Sequence, residues 1–368
     1  MRLFLILISS ILLTSCLPFR AILLGAPDVK DMKRIHSEKL SASSSAFEFI
    51  KEPSESAADL KINDWTKDIP FFLPLKDFVK THEIRSFLII QDDTIRMEYY
   101  AEEMSPEDLH PSYSIAKSFT SALVGIAIDE GLIGSEQDLL IDYLPELKLV
   151  APEFEKLKIV HLLNHTSGIK YSLLLDAIIY YGNDSYKAFQ RIKFEKPPGT
   201  YQHYINVNVH LLSAILVKVT KMPLHQYLQA KIWEPLGMES DGLWLSGKKD
   251  SLAKAFCCLG ATARDYAKFG RLYLNEGNWE GRQIISPEWY QKSITRDTSE
   301  GSSFNYNYCW HIGLKAYGDF MAIGLYKQHI YIHPTKKLII VTLSNRDDKL
   351  LAERVNWWYI FRQIADQY

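Results

Sequence analysis

Residues 111–131, PSYSIAKSFTSALVGIAIDEG, contain a single lysine near the start of a strongly apolar stretch. The spacing of the apolar residues predicts an amphipathic helix. Residues three apart on a helix are neighbours, which places Ser114 and Lys117 on one face. A lysine held among apolar side chains is partly desolvated, which lowers its pKa and lets the neutral amine accept the serine proton. The stretch therefore predicts a serine activated by a lysine.

The spacing of this pair is not specific by itself, because S-x-x-K occurs four times in the chain. Only the first pair has a long apolar helix behind it. The start of a helix offers unpaired backbone N–H groups and a positive dipole end, which favour negative charge on a hydroxyl placed there. A surface lysine beside a capping serine is the alternative that spacing alone leaves open. The four pairs are Ser114/Lys117, Ser167/Lys170, Ser246/Lys249 and Ser251/Lys254.

Length and composition indicate a globular protein with a sizeable core. The chain has 368 residues, of which 47% are hydrophobic. Its 42 basic and 44 acidic side chains nearly cancel, so no net field points toward a polyanion. We therefore expect no nucleic-acid partner.

The first sixteen residues resemble a bacterial lipoprotein signal. A positive start, Met1-Arg2, is followed by the apolar run LFLILISSILL (3–13) and then by Thr14-Ser15-Cys16. The run is shorter than the ~20 residues that a spanning helix needs. The resemblance implies a signal peptide at 1–15 and acyl chains on Cys16, hence an exported, membrane-anchored lipoprotein of the bacterial cell envelope. An uncleaved anchor and a buried cysteine are the alternatives.

Residues 16–65 are rich in Ser, Glu and Ala and lack sustained periodicity, as in SEKLSASSSAFEFIKEPSESAAD (37–59). This composition predicts a tether between membrane and domain. The folded domain is predicted at 66–368, with a helical region over roughly 112–290.

Strand patterns occur near both ends of the domain. SFLIIQ (86–91) and TIRMEYY (94–100) flank an Asp-Asp turn and predict a hairpin. Further β-rich runs lie at 307–314, 319–326, 327–334 and 337–345, whereas 112–130, 157–165, 207–221, 223–233 and 262–275 have helical spacing. The predicted fold class is α+β, with an antiparallel sheet built from both termini, flanked by helices, and an inserted, mostly helical subdomain.

Cysteine and histidine patterns predict neither disulfides nor a metal site. Cys257 and Cys258 are adjacent in AFCCLGA, which together with Cys309 suggests free, buried thiols. His161 and His165 form H-x-x-x-H, but no glutamate occupies the H-E-x-x-H position, so structural roles are favoured. We assign no metal.

Five segments in order along the chain resemble the serine β-lactamase-related hydrolases, in particular their class C and esterase branch, which includes the 6-aminohexanoate oligomer hydrolases. The likeness runs from about Ser86 to Asn345. It implies a β-lactamase/transpeptidase-like fold, with Ser114 as the acylated nucleophile and Lys117 as its base. The segments are HLLNHTSGI (161–169), KPPGTYQHYINVNVHLLSAILVKVT (196–220), IWEPLGM (232–238), AFCCLGATARDYAKFGRLYLNEGNW (255–279) and QHIYIHP (328–334).

The family's second motif, Y-x-N, matches Tyr204-Ile205-Asn206. The chain also contains this pattern at 181–183 and 273–275, but only Tyr204 follows Pro-Gly-Thr (198–200) and precedes an apolar helix. By the resemblance, Tyr204 relays protons and Asn206 binds substrate or holds Lys117. A core tyrosine is the alternative role for Tyr204.

The third motif, K-T-G or H-x-G in the family, is degenerate. Aligned on GLYKQHIYIHP, it falls on Leu325, Tyr326 and Lys327, which retain neither the cation nor the glycine. The resemblance still implies an oxyanion hole formed by the backbone N–H groups of Gln328 and Ser114, because main-chain donors do not depend on the side chain. The missing cation makes β-lactam hydrolysis less favoured than cleavage of an ester or amide.

The sequence therefore predicts a serine hydrolase that forms an acyl-enzyme on a small ester, amide or peptide-like substrate and needs no cofactor. One alternative is a β-lactamase or penicillin-binding peptidase-like activity. The other is a non-catalytic binding module on the same scaffold.

Overall fold

The computed structural model describes residues 17–64, 71–345 and 355–368. The predicted signal peptide at 1–15 and the proposed lipidation site, Cys16, lie outside the described residues. Within them, helices and sheets follow the α+β arrangement expected from the sequence.

The α-helices of the described residues follow in chain order. They are α1 (Leu17–Leu24), α2 (Asp31–Arg34), α3 (Glu55–Ala58), α4 (Leu75–Thr81), α5 (Ile115–Asp129), α6 (Leu140–Tyr143), α7 (Ile159–Leu163), α8 (Leu173–Tyr181), α9 (Tyr186–Phe189), α10 (Asn206–Thr220), α11 (Leu224–Leu228), α12 (Ala263–Leu274), α13 (Pro287–Ile294) and α14 (Trp357–Ala365). Short 3-10 turns occupy Pro145–Leu149, Pro152–Lys156 and Pro334–Lys336, and a π-turn occupies Gln229–Trp233.

The described strands form one large sheet and three small ones. They are β1 (Ser37–Leu40), β2 (Ile50–Lys51), β3 (Lys61–Asp64), β4 (Phe71–Pro74), β5 (Ile84–Gln91), β6 (Thr94–Tyr100), β7 (His110–Pro111), β8 (Gly242–Leu245), β9 (Leu259–Ala261), β10 (Asn278–Trp279), β11 (Arg282–Gln283), β12 (Tyr306–Asn307), β13 (Trp310–Ile312), β14 (Phe320–Gly324), β15 (Gln328–His333) and β16 (Leu338–Ser344).

The large sheet joins the two ends of the domain, as predicted. Its order is β12-β13-β14-β15-β16-β5-β6-β2, so that β16 near the C-terminus pairs with β5 near the N-terminus. All of these pairs are antiparallel except β2 with β6. The predicted hairpin of β5 and β6 is confirmed, and the helices α5 to α13 lie between it and the C-terminal strands.

Both faces of the large sheet are covered, which explains the continuous apolar runs in its central strands. Along β16, Ile339 and Val341 belong to the core under the helical subdomain, whereas Leu338 and Ile340 belong to a second core that includes α4 and α14. Alternate residues of a strand point to opposite faces, so each run supplies two cores. Helix α12 packs on the first face against β15, β16 and β5.

The prediction of a tether over 16–65 is wrong for the described part of that segment. Strand β1 pairs antiparallel with β8, which lies far along the chain, at the edge of a four-stranded sheet ordered β1-β8-β9-β7. Ile35, Leu40 and Phe49 are buried in the main core. The segment looks like a linker because its apolar residues are sparse, and because pairing with a distant strand leaves no local periodicity.

The prediction of three free thiols is also wrong in part. Cys257 and Cys258 are joined by a disulfide bond, whereas Cys309 is free and buried as expected. Adjacent cysteines can be bridged only where the backbone turns their side chains together, and Cys258 has a left-handed φ of 73°. The sequence contains no local signal for that turn.

No single helix within 17–64, 71–345 and 355–368 has both the length and the apolar composition to cross a bilayer. The consecutive helical segments Asn206–Thr220 and Leu224–Trp233, which meet at 77°, reach that length and composition only when taken together.

Candidate active site

The candidate nucleophile lies in a tight turn before α5. Tyr113, directly before Ser114, has a φ of 42°, a left-handed conformation that is costly for a tyrosine. The turn is fixed to β9 of the four-stranded sheet. The Ser112 N–H donates to the Leu259 carbonyl at 2.7 Å, and the Ser112 hydroxyl accepts from the Leu259 N–H at 3.1 Å. Ser114 itself is only half-buried, so its hydroxyl is accessible.

Lys117 is held by three oxygen atoms from three parts of the chain. Its side chain is only 1% exposed. Nζ lies 2.8 Å from Ser114 Oγ, 3.0 Å from Asn206 Oδ1 and 2.9 Å from the Phe256 carbonyl oxygen. Helical spacing predicted the first contact. The other two come from α10 and from the loop before β9, which the fold brings to the same point.

These contacts determine how a neutral amine is oriented. Burial removes water from the ammonium and lowers the pKa of Lys117 to about 7. Amide and carbonyl oxygens only accept hydrogen bonds, so the two hydrogens of a neutral amine go to Asn206 and Phe256. The lone pair is then left for the hydroxyl proton of Ser114. The arrangement is that of a general base facing a nucleophile.

Asn206 is oriented by a carboxylate that the sequence patterns did not single out. Its Nδ2 donates to Asp176 Oδ2 at 3.4 Å, so its oxygen faces Lys117. Burial raises the pKa of Asp176 above its ordinary value, and the Asn206 hydrogen bond and the Lys117 charge reduce that rise. A lone acid in the apolar helix LLLDAIIYY (173–181) was an available signal for such a role.

Tyr204 lies beside both Ser114 and Lys117. The Lys117 amine stands 4.8 Å from the centre of its ring. The ring stacks on His165 with centroids 4.3 Å apart and meets Tyr306 edge to face at 5.6 Å. The residue as a whole is 39% exposed, yet dense packing around it raises the pKa of the phenol, and the hydrogen bond with Ser114 lowers that pKa in part. The structure thus brings Ser114, Lys117, Tyr204 and Asn206 together.

The third predicted motif is a hairpin turn rather than the middle of a strand. Gln328 begins β15, and its fully buried side chain bonds both backbone groups of Ser344. Its backbone role in an oxyanion hole stays a prediction. Strand β14 approaches the nucleophile turn closely at Gly324, where an added Cβ would overlap the Ser112 carbonyl oxygen. Gly324 therefore has the close approach expected of the glycine in the third motif. The match from sequence placed this motif on residues 325–327, one residue too late to include Gly324.

Two side chains of the turn between β14 and β15 point to different places, Tyr326 toward the nucleophile turn and Lys327 toward the end of α4. Tyr326 and Lys327 have left-handed φ values of 61° and 65°. The Tyr326 ring meets Tyr113 edge to face at 5.1 Å, which fixes the turn beside the nucleophile. The Lys327 amine donates to the carbonyl of His82 at 2.8 Å, at the end of α4. Lys327 therefore does not replace the cation at the third motif.

A second buried lysine shows why the S-x-x-K spacing alone is insufficient. Lys254 is fully buried, and burial lowers its pKa to about 7 as well. Its Nζ donates to the carbonyl oxygens of Ile179 and Gly182 at 2.7 and 3.3 Å, at the end of α8. Its partners are backbone carbonyls that cannot act as nucleophiles, so this lysine anchors α8.

The two histidines of the H-x-x-x-H pattern have separate surroundings. His161 Nδ1 accepts from the Lys158 N–H at 3.2 Å, which closes the first turn of α7. His165 contacts Tyr204 instead. Among the described residues, no three His, Cys, Asp or Glu side chains form a group able to hold a metal ion.

The chain is similar in sequence to known hydrolases. The chain is 25% identical over 289 residues to the 6-aminohexanoate-dimer hydrolase of Paenarthrobacter ureafaciens, a match that covers 72% of this chain and 73% of the relative. A β-lactamase of Providencia stuartii is 29% identical over 136 residues, which is 37% of this chain and 34% of that protein.

Solved structures show the same fold. A protein from Bacillus anthracis, provisionally described as a 6-aminohexanoate-dimer hydrolase, superimposes with a TM-score of 0.81 at 23% identity and covers 92% of this chain and 93% of its own. The family model described as Beta-lactamase matches residues 78–365, most of the chain and all of the residues assembled above. The chain belongs to the beta-lactamase family of hydrolases.

Proposed function

We propose that this hydrolase cleaves a carboxylic amide or ester through an acyl-enzyme on Ser114. The observation that carries the proposal is the buried Lys117 amine, 2.8 Å from the hydroxyl and with its hydrogens directed to two fixed acceptors. That geometry gives the hydroxyl a base at neutral pH.

In the first half-reaction, Ser114 Oγ attacks the substrate carbonyl carbon as its proton passes to Lys117 Nζ. The bond from Oγ to carbon forms, and the carbonyl oxygen becomes negatively charged. Tyr204, beside both groups, relays the proton from Lys117 to the leaving nitrogen or oxygen as the scissile bond breaks. In the second half-reaction, water attacks the acyl carbon and its proton passes through Tyr204 and Lys117 back to Ser114 Oγ. The bond from Oγ to carbon breaks, which restores the Ser114 hydroxyl and releases the acid.

Two backbone N–H groups stabilise the oxyanion in this proposal. One is that of Ser114, at the start of α5. The other belongs to the turn after β14, where Leu325 follows the close-approach residue Gly324. The position of Gly324 favours the Leu325 N–H over the Gln328 N–H predicted from sequence, because Gln328 lies beyond the turn.

The environment of the third motif favours amides and esters over β-lactams. With Gly324 as the glycine of the motif, the position of the cation, two residues earlier, is Ala322, which is buried and carries no charge to bind a ligand carboxylate. The nearby Lys327 amine is directed to the His82 carbonyl. The relative from Paenarthrobacter ureafaciens is named for an amide-linked dimer, which agrees with this preference. A non-catalytic role is disfavoured because Ser114, Lys117 and Tyr204 retain contacts suited to catalysis.

We also propose that the chain is exported and anchored to the bacterial cell envelope through lipid on Cys16. The sequence of residues 1–16 supports this proposal. Further support comes from α1, which begins at Leu17 and exposes Ile22 and Leu23 by 81% and 64%. Exposed apolar side chains next to an acylated cysteine suit a bilayer surface.

A fluorophosphonate probe tests the nucleophile directly. The wild-type chain should be labelled covalently, because the activated hydroxyl attacks phosphorus, and Ser114→Ala should abolish labelling. Ser251→Ala, which removes the serine of another S-x-x-K pair, is the matched control and should be labelled like the wild type. An unlabelled wild type, or undiminished labelling of Ser114→Ala, would contradict the proposal.

The pH dependence of kcat/KM tests the base. The protonated amine cannot accept a proton, so kcat/KM for an activated ester should fall as pH decreases below about 7, the pKa of Lys117, and level off above it. In Lys117→Arg the guanidinium stays protonated, so kcat/KM should be about 100- to 10,000-fold lower than in the wild type. The rise of kcat/KM with pH around 7 should also disappear. Lys254→Met, which removes another buried lysine, should keep the fall in kcat/KM below pH ~7. If kcat/KM instead rose only near pH ~10, Lys117 would be charged at neutral pH and could not be the base.

Incorporation of labelled palmitate in a bacterial host tests the anchor. The wild-type chain should take up label and fractionate with membranes, and Cys16→Ser should lose both properties. Cys309→Ser removes a buried thiol and should be labelled normally. Label that persists in Cys16→Ser would contradict lipidation at this residue.

A further inference from the structure

The segment that carries Tyr204 has no regular secondary structure of its own. Residues 201–205 run without helix or strand between the turn at 197–200 and the start of α10. A phenol that transfers protons must be held close to the position in which its hydroxyl can hydrogen-bond to both partners, because small displacements slow the reaction. Contacts from outside the segment must therefore fix its position.

One buried histidine bonds this segment on both sides of Tyr204. The His165 carbonyl accepts from the His203 N–H at 2.8 Å, and its ring Nδ1 accepts from the Ile205 N–H at 3.2 Å. The same ring stacks on the Tyr204 ring, with centroids 4.3 Å apart and planes 30° apart. His165 thus contacts three consecutive residues with three different groups.

We infer that His165 is a positioning residue that sets the place of the Tyr204 phenol against Ser114 and Lys117. This inference rests on the proposed role of Tyr204 in proton transfer. His165 acts through Tyr204 and its neighbours, because its hydrogen bonds and ring contacts join it to the segment 201–205, to α10 and to Tyr306.

The hydrogen bonds define the state of the ring. Nδ1 also lies 3.2 Å from Asn208 Nδ2, a group that only donates. With two donors directed at it, Nδ1 carries no proton, and the proton of the neutral ring is on Nε2. Burial holds the pKa of His165 well below its ordinary value, so the ring remains neutral and Nδ1 remains an acceptor.

The backbone of His165 supplies a second reason to assign the ring a specific role. Its φ is 56°, a left-handed conformation that glycine adopts freely and that asparagine and histidine adopt more readily than most other residues. A histidine at such a position costs stability unless its side chain offsets the cost. The backbone geometry also makes glycine and asparagine variants compatible with the fold.

Two variants separate the ring from the backbone. His165→Gly accepts the left-handed φ but removes both the acceptor and the stacked ring, and we expect it to lower kcat by about 10- to 100-fold with a change in KM below about threefold. His165→Asn also accepts this φ and places an oxygen near the position of Nδ1. We expect it to recover kcat to within about fivefold of wild type, because the Ile205 N–H regains its acceptor.

The control is His333→Ala. His333 is another buried histidine, at the end of β15 and with an ordinary φ of −122°. It should lower the melting temperature but leave kcat within about twofold of wild type. The role would be excluded if folded His165→Gly kept wild-type kcat, or if His165→Asn were as slow as His165→Gly. An inactive wild type would instead contradict the proposed function, which keeps the two failures distinct.

Discussion

The burial of one lysine amine is the constraint on which the proposed chemistry depends. An ammonium ion with 1% exposure loses most of its hydration, so Lys117 at neutral pH is readily deprotonated. The carbonyl of Phe256 and the amide oxygen of Asn206 then take the two amine hydrogens, and the lone pair faces Ser114. Neither acceptor is adjacent to Lys117 in sequence, so the base exists only in the folded domain.

The fold supplies each of these groups on a separate support. Helix α5 carries the serine and lysine, α10 begins at Asn206, and the loop before β9 presents Phe256. The four-stranded sheet holds the turn before Ser114 through β9, and the β14–β15 hairpin of the large sheet approaches the same turn at Gly324. The site thus lies where the helical subdomain meets both sheets. Substitutions that shift any of these supports are expected to act on the same amine and hydroxyl.

The sequence predicted what is local or carried by a family motif. The Ser114 and Lys117 pair follows from helical spacing, Tyr204 and Asn206 from their flanking segments, and the hairpin at 86–100 from two β-rich runs around an Asp-Asp turn. Asp176 and His165 contact partners that are distant in the sequence, and no short sequence pattern predicts such contacts. The pairing of β1 with β8 and the bond between Cys257 and Cys258 depend on long-range packing and on a left-handed backbone, so composition led to the wrong prediction for both.

The most direct measurement of the central claim is an NMR titration of Lys117 with lysine labelled at Cε. Its signal can be assigned as the one missing from Lys117→Arg, which separates it from the signals of the other buried lysines, Lys254 and Lys268. The account predicts a titration midpoint near 7, as expected for an amine deprived of water. A midpoint near the ordinary lysine value of about 10.4 would show that the amine is charged at neutral pH and cannot serve as the base.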